Sequence, residues 1–515
     1  MNTASKKTRV VIVGGGTAGW LTAGIIAARH PLLGENSNTE LVLLESPDVK
    51  NLGVGEGTWP TMRDTLKQIG LSERAFLSCC DASFKQASKF AGWRQDPAQH
   101  YYHPFTAPAG YGLLSLADAW IEAGYPQDFE SWVSAQGHAC ERQLSPKLPQ
   151  LPEYAFTYNY GYHLNAGKFV ALLQAHCTEK LGVTYRQGHV AHIVSHDSGA
   201  IKALQLEDGN TVEGDLFIDC SGFAAVLMGK HYQIPFVSQR GVLFNDTAIA
   251  AQVNHAEPQT PIASATVATA QTSGWIWDIA LQHRRGIGHV FASEFCAVED
   301  AEQTLRNYIA NDPNLQQDDL TTRIIKFDPG HRKYFWHHNC VAIGVSAGFV
   351  EPLEATALVL IEKSAEWVAE QLPRSPSAMP VLAKRFNQLT NERWQEIIDF
   401  IKLHYVLSDR SDSAYWRAHQ QHESWTDSLS EALQLWQSQP PGLYESSNRQ
   451  ELFSSASKQY VLFGMGFRAE QWQSCGRLAL QQPLIERFRR EVQQQVNRVN
   501  AQLLTNREYL QKLRK

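Results

Sequence analysis

Arg9-Val-Val-Ile-Val13 runs directly into Gly14-Gly-Gly16-Thr-Ala-Gly19, and the reading of this stretch decides the fold. The first segment is apolar and β-branched without alternation, the pattern of a strand buried on both faces of a parallel sheet. The second fits G-x-G-x-x-G, and Leu21–Arg29 continues as an apolar helix. Each glycine has a physical task. Gly14 permits the tight turn, Gly16 lets the backbone approach a pyrophosphate, and Gly19 lets helix and strand pack closely. Thr17 and Ala18 open the helix, whose first N–H groups are free to meet phosphate oxygens. The strand–loop–helix order makes this a dinucleotide site.

Working outward, Glu40-Leu-Val-Leu-Leu44 is a second strand ending on Glu45, the residue assigned to the ribose hydroxyls. It lies beyond the usual spacing of about 20 residues, and the loop Pro31–Asn38 supplies the extra length. Asp215-Leu-Phe-Ile-Asp-Cys-Ser-Gly222 has the form of the strand and turn that two-domain flavoproteins set against FAD. Asn339-Cys-Val-Ala-Ile-Gly-Val-Ser-Ala-Gly348 has the form of their last strand and loop, with Gly344 and Gly348 at the flavin end. No second G-x-G-x-x-G follows a strand, so a dedicated NADPH domain is not expected and the cofactor is read as FAD.

The rest of the chain gives a coarse plan. Leu71–Phe90 reads as a helix with Lys85 and Lys89 one turn apart on one face. Residues 96–152 are rich in Pro, Gly, Tyr and His and read as loops at a substrate site. Ala166–Glu179 is an amphipathic helix, and Leu216–Ile218 and Val341–Ile343 are buried strands. After Pro376 the pattern changes to long helices, Arg385–Leu407 and Leu484–Leu513 among them. We therefore expect an α/β Rossmann-like FAD-binding core with mixed sheets over 1–376. A mainly helical substrate-binding module follows over 377–515.

Composition narrows the function classes. With 43% hydrophobic and 19% charged residues the chain is an ordinary globular one, and 515 residues suit two or three packed units. A net charge of −6 offers no polycation to nucleic acid or an anionic membrane. The eight cysteines show no zinc spacing, so no metal is expected. Without a signal peptide or an apolar run of spanning length, a cytoplasmic protein with reduced thiols is expected.

Several further segments recur together in one family. They are Gly53-Val-Gly-Glu-Gly-Thr-Trp-Pro60, Phe84-Lys85 with Phe90 and Trp93, and Gly274-Trp-Ile-Trp-Asp-Ile-Ala280. Glu351-Pro-Leu-Glu-Ala-Thr356, and His404-Tyr405 with Arg410 and Trp416, complete the set. From Arg9 to about Trp416 the chain resembles the flavin-dependent tryptophan halogenases, with Ala280 where the family has proline. Aromatic hydroxylases share the first glycine loop but carry Gly-Asp-Ala at the flavin end. Here Ser346 stands in the aspartate's place.

The resemblance implies a mechanism. FADH2 from a separate NAD(P)H:flavin reductase, together with O2, oxidises chloride or bromide to hypohalous acid. Lys85 then carries that oxidant to an electron-rich, indole-type ring. Burial favours a neutral lysine amine able to hydrogen-bond the acid or form a haloamine. Glu354 corresponds to the carboxylate that stabilises the cationic ring and helps remove its proton. Thr356 and Ala357 correspond to the residues whose backbone amides hold halide, with Ala355 and Ala357 replacing Ser and Gly. Trp275 and Trp277 wall off the flavin, and His103 and Phe105 correspond to the pair that sandwiches an indole.

An FAD-dependent aromatic monooxygenase and a flavin-binding carrier without catalysis are the competing readings. Lys85 with the Gly274–Trp277 segment argues against the first, and Lys85 with Glu354 against the second. The family grips free tryptophan with C-terminal residues. The matching stretch, Gly442–Phe453 through Tyr460, holds only Tyr444 at its start and has no Trp between Trp436 and Trp472. Free tryptophan is therefore expected to be a poor substrate, and a homodimer stays open.

Overall fold

β1 (Thr8–Val13) passes through the glycine loop into α1 (Thr17–Arg29) and on to β2 (Thr39–Glu45). β1 pairs in parallel with β2 on one side and Leu216–Asp219 on the other. Thr184–Gln187 and Cys340–Ala342 extend the parallel set, and Trp336–His337 closes one edge antiparallel. Val10, Val11 and Ile12 are fully buried because both faces of this six-stranded sheet are covered, which explains their unbroken apolar run. The computed structural model describes residues 7–35, 37–48, 55–316, 320–445, 451–473 and 476–514.

Two glycines of the loop are fixed by close approach. Gly14 has φ 123°, and a Cβ there would lie 2.2 Å from the Cys220 carbonyl oxygen. A Cβ on Gly19 would lie 1.8 Å from the Gly14 carbonyl oxygen, so helix and loop touch only because it is absent.

The stretch read as one helix over Leu71–Phe90 is a helix only over Glu73–Cys79. Asp81 then turns the chain with φ 53°, and two strands follow. β3 (Ser83–Lys85) pairs with Gly161–Asn165, and β4 (Ala87–Ala91) lies between Ala265–Ala270 and β5 (His100–Pro104). Non-local strand pairing overrides the local helical pattern here. Lys85 and Lys89 thus share no helix face: Lys85 is buried, while Lys89 pairs with Glu141 at 3.0 Å. β4 and β5 belong to a seven-stranded sheet that also contains β6 (Trp275–Ala280).

Residues 96–152 are more ordered than a set of loops. They hold β5 and helices Leu116–Glu122, Phe129–Val133 and Gln136–Glu141. Beyond them, α2 (Thr356–Glu370) packs on α1, and α3 (Met379–Val406) begins the long C-terminal helices. The last helix expected over 484–513 is two, Gly476–Gln502 and Asn506–Arg514. They are separated where Leu504 accepts a backbone bond from Ser145 at 2.8 Å. One contiguous cluster of buried side chains runs from Val10 to Leu510 and ties these helices to the core. Among the described residues no helix is long and apolar enough to cross a membrane.

Candidate active site

A cavity of about 670 Å³ opens beside the glycine loop. Gly14, Gly16, Thr17, Ala18 and Glu45 line it, as do Lys85, Trp275, Trp277, Glu354, Thr356 and Ala357. Side-chain-free backbone forms the wall next to Glu45: a Cβ on Gly15 would lie 2.2 Å from the Glu45 carboxyl carbon. Glu45 is held by the Tyr185 hydroxyl, which donates to its Oε2 at 2.7 Å. A bare loop, a helix N-terminus and a steadied carboxylate on one cavity suit a dinucleotide.

Gly344 and Gly348 do not line this cavity; Val345 and Phe349 do. Gly344 has φ 80°, and a Cβ there would press on Ala18, while one on Gly348 would meet the Gly330 carbonyl oxygen at 2.6 Å. Both glycines serve packing behind the wall. Ser346 ties their loop to the central sheet, its hydroxyl donating to the carbonyl of Asp219, with the Ile343 carbonyl an alternative acceptor at 3.1 Å.

Strand alternation separates Phe84 from Lys85. Phe84 packs edge-on against Tyr160 and Tyr509, and Lys85 faces the cavity. Only 1% of Lys85 is exposed, and no described residue gives it a hydrogen bond or ion pair. Its Nζ lies 5.3 Å from the centre of the Phe105 ring. Burial pulls its amine down to about 8, with the Glu354 charge acting in the opposite sense. Burial therefore brings the Lys85 amine closer to its neutral form than an exposed lysine would be.

Glu354 sits in a tight turn ahead of α2. Glu354 and Ala355 both adopt left-handed backbone, with φ 65° and 55°, costing about 1–3 kcal/mol each for non-glycine residues. The surroundings hold them there. Trp59 Nε1 donates to the Glu354 carbonyl at 2.8 Å. Glu354 Oε1 accepts from His103 Nδ1 at 2.7 Å and His404 Nε2 at 3.3 Å, and Oε2 accepts from Ser88 Oγ at 3.0 Å. Burial pushes this carboxyl up, but the charges and hydrogen bonds of His103 and His404 outweigh it. The group is held below the usual carboxylate range. After the turn, Thr356 and Ala357 are the first residues of α2 and line the cavity. Their backbone N–H groups lack intrahelical acceptors and can meet an anion.

A second carboxylate, Glu351, stands one turn earlier. Its Oε2 accepts from Trp275 Nε1 at 2.6 Å, Asn245 Nδ2 at 2.7 Å and the Tyr405 hydroxyl at 2.7 Å. Burial pushes its carboxyl up while these bonds pull it back. Trp275 and Trp277 project from the same face of β6, with ring centres 6.4 Å apart, and form a fixed part of the wall. Ala280, at the position where proline was noted in the family, keeps the N–H a proline would lack and pairs with Arg285 across the sheet.

His103 and Phe105 come together with Lys85 and Glu354, but in unequal roles. His103 spends one ring nitrogen on Glu354, and Phe105 lies beneath Lys85. Sequence reasoning missed Ser88, Trp59 as a partner of Glu354, and the buried stack of Phe400 on Phe453, with ring centres 3.7 Å apart. It named His404 only as part of a recurring segment, without a partner or role. The available signal was Phe400 and His404, one helical turn apart on α3. Of the stretch Gly442–Phe453, residues 446–450 lie outside the described residues. Tyr444 is 95% exposed, and the Tyr460 hydroxyl is engaged with the Thr106 carbonyl.

Comparison with known proteins agrees with this geometry. The sequence profile of the family described as tryptophan halogenase matches residues 9–481. Tryptophan 6-halogenase SttH of Streptomyces toxytricini is 32% identical over 462 residues, covering 86% of each chain. Tryptophan 7-halogenase RebH of Lentzea aerocolonigenes is 31% identical over 435 residues, covering 81% of this chain and 80% of that one. Among solved structures, a tryptophan halogenase from Shewanella frigidimarina NCIMB 400 matches with a TM-score of 0.95 and 44% identity. The match covers 99% of this chain and 98% of that one.

Proposed function

Because the chain belongs to the tryptophan halogenase family and is a flavin-dependent halogenase, we propose that it places chlorine or bromine on an indole-type ring, using FADH2 and O2. The observation that carries this reading is the meeting, on one cavity, of a buried lysine, unpaired among the described residues, with a carboxylate gripped by two histidines. Gly14, Gly16, Thr17 and Ala18 would hold the pyrophosphate, and Glu45 the ribose. Reduced flavin with O2 supplies the oxidising equivalents that turn halide into hypohalous acid. A separate NAD(P)H:flavin reductase is the electron source, consistent with the single glycine loop, and the protein works in the cytoplasm.

The remaining work falls to side chains. The N–H groups of Thr356 and Ala357 hold the halide. Trp275 and Trp277 keep organic substrate from the flavin. Lys85 receives hypohalous acid at Nζ and presents the halogen to the ring. His103 and Phe105 position that ring, which is worth much of the barrier. Glu354 stabilises the positive charge that develops and takes the ring proton. The helices over 377–515 act as the substrate module, since α3 contributes Phe400 and His404. Incubation with FADH2, O2, bromide and a panel of indoles, read by mass spectrometry, tests the proposal. Halide-independent hydroxylated product would overturn it.

A further inference from the structure

The chain carries an indole of its own at the catalytic turn. Trp59 Nε1 donates to the carbonyl of Glu354, the residue whose carboxylate takes a ring proton in the function proposed above. Its ring is only partly buried and meets Phe453 edge-on at 5.0 Å, and Phe453 stacks on Phe400. Phe400 in turn lies 5.8 Å from His103. The chain to Lys85 is short: a Cβ on Gly57, two residues before Trp59, would lie 3.3 Å from Lys85 Nζ.

Chemistry separates Trp59 from its neighbours. Phe105, Phe400 and Phe453 are unactivated benzene rings that resist a mild electrophile, and the Tyr460 ring is buried. An indole is electron-rich, and an N–H bonded to a carbonyl oxygen gives its ring more density. Trp20, Trp93, Trp336 and Trp416 are at most 1% exposed, and on the cavity wall Trp275 is 1% and Trp277 7% exposed, the Trp277 ring lying flush against Gly288. Trp59 combines partial access with a direct hydrogen bond to the backbone of the turn that carries the carboxylate.

We propose that Trp59 is a self-halogenation site, modified when hypohalous acid forms without an aromatic substrate in place. The inference rests on the halogenase reading. The carbon–halogen bond forms as the halogen–oxygen bond of hypohalous acid breaks. The ring then loses its proton to Glu354, and hydroxide leaves as water once protonated. No further oxidant is needed. A bound substrate covers Trp59 and intercepts the halogen, so the modification marks idle turnover.

The test uses the full chain with FADH2 from a flavin reductase, O2 and bromide, without substrate. Trypsin releases residues 51–63, in which Trp59 is the sole aromatic residue. The expected result is a bromine isotope doublet on this peptide, at least tenfold weaker when indole is added and absent in Lys85→Ala. Exposed Tyr444 reports hypobromous acid released to solution. Labelling of Tyr444 equal to that of Trp59 would overturn the proposal, as would brominated indole product with an unlabelled 51–63 peptide. Failure to brominate any added indole would overturn the halogenase reading and this inference with it.

Discussion

Replacing Glu354 by glutamine removes one charge and little else. The amide oxygen can keep the bonds from His103 and His404, and the NH2 group can donate to Ser88 Oγ in place of the present bond. The loss falls on the transition state. A carboxylate and a unit positive charge about 4 Å apart attract by about 4 kcal/mol at an effective dielectric of about 20. Charge spread over the ring reduces this to about 2–4 kcal/mol, or roughly 30- to 1000-fold in rate. The assay is a single turnover with bromide and indole, quenched at intervals, beside flavin reoxidation followed by absorbance. Product formation should fall by that factor, with reoxidation within about twofold of wild type and a similar melting temperature. An unchanged halogenation rate, or equal loss of both activities, would refute the reasoning.

Lys85→Met should give no halogenated product while flavin reoxidation continues. In the wild type, product formation should rise as pH passes upward through about 8, where the buried amine loses its proton; a fall over that range would show that the charged form works. Trp275→Phe strips one of three donors from Glu351 Oε2, so the protein should lose about 1–3 kcal/mol in chemical denaturation. An unchanged midpoint would show that the bond is replaceable. Free tryptophan should have a lower kcat/KM than indole or a tryptophan-containing peptide, since Tyr444 points into solvent at 95% exposure and the Tyr460 hydroxyl is already engaged by the Thr106 carbonyl. A clear win for the free amino acid would reverse that expectation.

Local signals carried the dinucleotide half of the molecule. Val10–Ile12 and the glycines at 14 and 19 announce a doubly buried strand and a forced close approach, and both are found. The segment 71–90 was misread because its apolar spacing fits a helix. What makes it strand is pairing with Gly161–Asn165 and Ala265–Ala270, far away in sequence. Gly344 and Gly348 show a related limit: a glycine demanded by packing looks the same in sequence as one demanded by a ligand. Glu354 was legible as a motif. Its grip by His103, His404 and Ser88 was not, since those residues meet across separations of 251, 50 and 266 positions.

His404 and Tyr405 are adjacent on α3, and they hold the two carboxylates of one short turn: His404 takes Glu354 and Tyr405 takes Glu351. Helix and turn therefore mesh like a gear with two engaged teeth. Inserting one residue in α3 ahead of position 404 would rotate both teeth by about 100° and release both carboxylates together. A C-terminal half transplanted from a relative will work only if its helix arrives in phase with residues 351–354. Chimaeras joined inside α3 should fail far more often than those that exchange the turn and the helix as one piece.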